Sequence, residues 1–134
     1  KATLTVLRDT DALTRLQEHG EALRQRLQDM AMQLKIPMTL YGDFSRMSLR
    51  WQGVPGVAMA QELYTLWLQE MIKGGILCNV PLFSMCCWTQ GIVDEIMFAA
   101  IEAFALIGSV LHGAIPIADV LEVPVIGNVF NVRA

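Results

Sequence analysis

At 134 residues the chain is long enough for one compact domain with a real core and too short for two. Hydrophobic residues make up 54% and charged residues 17%, which excludes a disordered segment. A net charge of −3, a pI near 5.3 and ten scattered Lys and Arg residues exclude a nucleic-acid surface.

Cys78, Cys86 and Cys87 form neither a secreted disulfide framework nor a Cys-x-x-Cys pair. With His19 and His112 far apart in sequence, no metal site emerges, and buried thiols in a reducing cytoplasm are the expectation. The chain starts at Lys1 without an apolar h-region, so it reads as a piece of something longer rather than as a signal peptide.

The first element spans about Thr10 to Leu34. Leu13, Leu16, Gly20, Leu23, Leu27, Met30 and Leu34 alternate by threes and fours, a narrow helical stripe, with charged residues between them. Asp9 or Asp11 can cap its start, and Pro37 forbids continuation. A coiled-coil seam is the alternative, but it lasts only about three heptads and carries Gly20, a residue that costs about 1 kcal/mol in a helix interior. Gly20 instead predicts the close approach of another backbone.

Residues Pro37–Tyr41 and Ser45–Trp51 read as an antiparallel pair turned at Gly42-Asp43, the second strand alternating Met47, Leu49 and Trp51 against Arg46, Ser48 and Arg50. Gly53-Val-Pro-Gly56 is a further turn. Val57 to Ile72 then places Ala60, Leu63, Tyr64, Trp67 and Met71 on one helical face, stopped by Gly74-Gly75. Ile76–Cys78 and Phe83–Trp88 read as short apolar strands around a turn at Asn79-Val-Pro81.

Thr89 is the expected N-cap of a helix from about Gln90 to Leu111. Its apolar run of about 20 residues matches a membrane span in length. Asp94, Glu95 and Glu102 and the absence of flanking Lys or Arg argue instead for a core helix that also meets a neighbouring domain or subunit. Beyond Gly113, Pro116 and Pro124 break any helix, and Val123–Val132 is β-prone around Gly127-Asn128, an added edge or the start of a following segment. The order predicts an α+β fold: a small antiparallel sheet of about three to four strands with helices packed on it.

Four stretches carry a family resemblance over roughly residues 1 to 110. They are Ala2–Arg8, His19–Leu27, Ile36-Pro37 with Gly42 and its following strand, and Met71–Leu77 followed by Cys87-Trp88-Thr89 and Asp94-Glu95. Together these resemble the C-terminal small domain of a class III aminotransferase, closest to the glutamate-1-semialdehyde aminotransferase branch. The last stretch follows that family's "x-x-x-G-[IV]-[LY]" strand and its "A-H-T" cap. Departures are Trp88 for the His before the capping Thr, Ile92 for the acid that completes a capping box, and no acid near Asn79–Pro81 where the aminomutases carry a gate carboxylate.

The resemblance implies residues 1–112 as the small domain and 113–134 as a tail or the start of a following segment. It implies a cytoplasmic, dimeric, pyridoxal-phosphate (PLP) enzyme whose Schiff-base lysine lies in the missing PLP-binding domain. Its partners would be that domain, a second subunit and small-molecule amino donors and acceptors, with no membrane and no nucleic acid. No residue here is catalytic on this reading. Cys78–Ser84 would line the substrate cleft, with Asn79 and Ser84 as polar candidates, and Arg46 or Arg50 would bind a carboxylate unless they are simply solvated strand charges. Lys35 and Lys73 read as exposed helix-end residues, and the cysteines as core. The alternative is a non-catalytic interaction domain built on the same fold; a membrane-anchored helical protein is opposed by the predicted strand pairs.

Overall fold

The structure, a computed structural model, describes residues 2–78, 82–85 and 87–127. Helices α1 (Ala2–Asp9), α2 (Ala12–Gln33), α3 (Ala60–Lys73), α4 (Gln90–Leu111) and the single turn α5 (Ile117–Val120) surround strands β1 (Met38–Asp43), β2 (Arg46–Trp51) and β3 (Leu82–Phe83). The expected α+β architecture is found, with one antiparallel sheet in the order β1-β2-β3. Alternation along β2 buries Met47, Leu49 and Trp51 against the helices and leaves Arg46 and Arg50 exposed.

Two predicted strands are corrected. Ile76–Cys78 forms no strand, and the second shrinks from Phe83–Trp88 to the pairs Arg46↔Phe83 and Met47↔Leu82. α3 ends in a Schellman motif: Gly75 adopts a left-handed φ of 81°, its N–H reaches Ile72 O and that of Ile76 reaches Met71 O. That reversal folds Ile76 and Cys78 back onto the core. After Phe83, the Trp88 N–H donates to Met85 O, curling the chain before a ladder can extend.

The β1–β2 turn also moves. Pairing continues through Gly42↔Met47 and Asp43↔Arg46, so Phe44-Ser45 is the two-residue connection. The Asp43 carboxylate accepts from Ser45 N (3.0 Å) and Ser45 Oγ (2.8 Å), which fixes the turn and holds Asp43 below its ordinary pKa. α3 starts at Ala60 rather than Val57, because Val54 and Ala58 first close a tight bridge and Glu62 then accepts the Met59 N–H at 2.7 Å.

On α2 the buried line is Ala12, Gly20, Leu23, Leu27 and Ala31, while Leu13 and Leu34 at the ends of the predicted stripe are exposed. This face packs within the chain on α4 and β1, not in a coiled coil. α4 keeps its predicted bounds, the Thr89 hydroxyl accepting from Ile92 N, and no described helix is long and apolar enough to cross a membrane. Residues 120–126 lie along α3. Gln69 donates to Val120 O (2.9 Å) and accepts from Glu122 N (2.8 Å), and Thr65 Oγ1 accepts from Ile126 N (2.9 Å). The predicted β-prone segment is not a strand over 123–127, and its remainder, including Asn128, lies outside the described residues.

Gly20 meets its expectation. A Cβ there would stand 2.3 Å from Phe44 O, so only glycine lets α2 touch the β1–β2 turn. Gly→Ala inside an exposed helix stabilises by about 1 kcal/mol. Here the clash with backbone reverses the sign, and Gly20→Ala should lower stability by about 1–3 kcal/mol in denaturant unfolding.

Candidate functional site

Two of the sequence-predicted site residues, Arg46 and Ser84, fall at one corner of the sheet. Arg46 begins β2 and is exposed, opposite Asp43 on one side and Phe83 on the other. Ser84 follows Phe83 directly, and the fold therefore brings Arg46 and Ser84 to the same edge. Ser84 is 7% exposed and its Oγ donates to Phe44 O at 2.7 Å, at the same carbonyl that Gly20 approaches. Its hydroxyl proton thus ties the 82–85 segment to the β1–β2 turn. Asn79 lies outside the described residues. Arg50 sits apart from the corner, its guanidinium 5.2 Å from the Tyr41 ring centroid on the outer face of the sheet.

Sequence reasoning missed a hollow beneath this corner. It measures about 450 Å³. Its floor is Leu23 and Leu27 of α2 with Trp67 and Met71 of α3, and Ile96 of α4 closes one side. Ile76–Cys78 with Leu82, Phe83, Met85 and Trp88 form the remaining walls, and no charged side chain is among them. The floor is buried, whereas Leu77 is 90% exposed and Phe83 and Met85 are more than half exposed, so the mouth faces solvent on their side. The signal in the sequence was the density of apolar residues from Ile76 to Trp88 without lasting alternation. A second hollow of about 520 Å³ runs along the Gly53–Glu62 turn, a shallow dish whose one acid, Glu62, already caps α3.

Two buried polar atoms have no hydrogen-bond partner, Trp51 Nε1 and Trp67 Nε1. The Trp67 indole also stands against the Cys78 thiol, where its N–H favours the thiolate. Burial pushes the Cys78 thiol up to about 11, an effect only partly offset by its own backbone N–H and by that indole. Cys87 is exposed, which corrects the expectation that it belongs to the core; Cys86 lies outside the described residues.

The described residues do not fit PLP. Lys73 Nζ is held by Glu122 Oε1 at 2.6 Å and Glu70 Oε1 at 2.9 Å, and these bonds raise its pKa, the opposite of what an imine-forming amine needs. Lys35 is exposed at a left-handed φ of 53° after α2. No group of His, Cys, Asp and Glu suited to a metal ion occurs among the described residues.

No family model matches this sequence, and no curated protein matches it. A solved structure does: the PLP internal aldimine form of the Sphingopyxis sp. MTA144 FumI protein, with a TM-score of 0.70 and 20% identity. The match covers 89% of this chain and 28% of FumI, so the chain corresponds to little more than a quarter of that protein's length. The chain therefore has the fold of one part of a PLP-bearing protein.

The two thiols should behave differently. At pH 8 the Cys78 thiolate is scarce and shielded, so iodoacetamide should alkylate Cys87 well before Cys78, as peptide mapping over time will show. Equal rates would mean that Cys78 is not buried as described.

Proposed function

We propose that this chain is the small, C-terminal domain of a PLP-dependent aminotransferase of class III, similar to the glutamate-1-semialdehyde branch. The likeness of 89% of the chain to part of FumI supports this most directly. The order of segments from Ala2 to Glu95 supports it independently of that likeness.

In this reading the cofactor and its Schiff-base lysine belong to a large domain outside these residues, because neither Lys35 nor Lys73 is set up to form an imine. PLP would there supply an electron sink for transamination. The domain contributes one wall of the substrate cleft, along Cys78 to Ser84, and Arg46 at its edge is the side chain suited to a substrate carboxylate. Since Ser84 spends its proton on Phe44 O, it positions the wall rather than donating to substrate. Exposed Leu4, Val6 and Leu13 at the α1–α2 corner, and Phe98 and Ile101 on α4, are the apolar surfaces for the large domain and a second subunit. The parent is a cytoplasmic dimer in this reading, acting on small amino donors and acceptors.

The full-length gene product, purified and reduced with borohydride, should carry a pyridoxyl group on a lysine outside residues 1–134. A protein that takes up no PLP would leave a non-catalytic interaction domain as the reading. A pyridoxyl group on Lys35 or Lys73 would overturn the assignment of the cofactor to another domain.

A further inference from the structure

We propose that the outer face of β2, from Arg46 to Arg50, docks an extended, acidic polypeptide segment of a partner whose carboxylates stand four residues apart. Charge carries this first. Arg8, Arg15, Arg24, Arg26 and Lys73 each hold a carboxylate within the chain. Of the described cations, Lys35, Arg46 and Arg50 form no ion pair, and the last two share one exposed face of one strand. Asp43, opposite Arg46 in the ladder, accepts from Ser45 instead. In a chain of net charge −3, two cations left unneutralised on one face are complementary to carboxylates brought by another molecule.

Geometry carries it second. Arg46, Ser48 and Arg50 lie on the side of β2 away from buried Met47, Leu49 and Trp51. A strand advances about 3.3 Å per residue, so the two arginines are rooted about 13 Å apart. An extended partner chain has the same rise, and its residues four apart fall on one face at that spacing. Arg50 is already ordered for the task. Its guanidinium lies over the Tyr41 ring, 5.2 Å from the centroid, a contact that leaves its N–H groups for a two-pronged carboxylate bond. Tyr41 is 49% exposed and Phe83, paired with Arg46, is 55% exposed, so apolar surface for the segment lies beside both cations. Other occupants fit less well. Neither hollow described above takes in Arg46 or Arg50, so the strip lacks the concavity that holds a small molecule. Nucleic acid requires a wider field of cations than these two.

Docking here does not depend on the enzyme reading, although Arg46 is common to the strip and to the proposed cleft wall. The test titrates the full-length gene product into two dye-labelled peptides at low salt, followed by fluorescence anisotropy. One repeats Glu-Thr-Val-Ser three times and so places its glutamates four apart; the other has the same composition with its glutamates consecutive. The first should bind more tightly. Arg46→Gln and Arg50→Gln should each weaken it roughly two- to fivefold, the ratio one exposed ion pair gives, and the double variant should lose the preference. Both side chains are exposed, so the far-ultraviolet circular dichroism should not change. The proposal is overturned if neither peptide binds, if the two bind equally, or if the folded double variant binds as the unaltered protein does. It is also overturned if glutarate at the same carboxylate concentration displaces the first peptide, which would make Arg46 a small-anion site in keeping with the cleft wall alone. Should a variant fail to fold, the two peptides and glutarate on the unaltered protein decide.

Discussion

Trp67 holds the domain together. Its ring packs 5.9 Å from that of Trp51 on β2 and 4.9 Å from that of Phe104 on α4, so one side chain of α3 joins the sheet to the longest apolar helix. Tilted aromatic contacts of this kind add about 0.5–1.5 kcal/mol each beyond the area they bury. Leu63, Leu66 and Met71 extend the same face of α3, and Leu23 and Leu27 bring α2 against it. The hollow exists because this cluster is bulky and rigid on one side. Of the residues described across from it, Ile76–Cys78 and 82–85, only Leu82 and Phe83 are paired in the sheet.

The proposed function divides along the same line. The α2–α3–α4 core is apolar and buried, whereas the polar corner at Asp43 and Ser84, beside Arg46, is held by hydrogen bonds at the β1–β2 turn. Gly20 and Ser84 both meet Phe44 O, so α2 and the 82–85 segment are positioned by the same turn that presents Arg46. In the proposed reading this corner is a substrate-facing wall, which needs that stiffness. It does not need a cofactor lysine, and the double pairing of Lys73 with Glu70 and Glu122 makes that amine a structural group. Together with Gln69, it fastens the 120–122 segment to α3.

Much of this was legible in the residues alone. Thr89 and the mostly apolar run that follows gave α4 its bounds, and Gly20 announced a close backbone contact. The failures came where partners at a distance decide. Ile76–Cys78 and Phe83–Trp88 have strand composition, but a strand needs a free ladder, and among the described residues only Arg46 and Met47 pair with this stretch. Leu13 and Leu34 fit the helical stripe, yet at the two ends of α2 the buried face carries Ala12 and Ala31 instead. Nothing in the spacing of Trp67, Cys78 and Trp88 revealed that they would bound one hollow. Asn79 lies outside the described residues, so the polar part of the proposed wall rests here on Arg46 and Ser84.

The central claim, a small domain whose cofactor is held elsewhere in the protein, is tested most directly by a crystal structure of the full-length gene product with PLP. The account predicts residues 2–127 in the present fold, PLP bound to a lysine outside them, and Arg46 on the wall that faces it. PLP joined to Lys35 or Lys73, or a full-length protein in which these residues are remote from the cofactor, would contradict it.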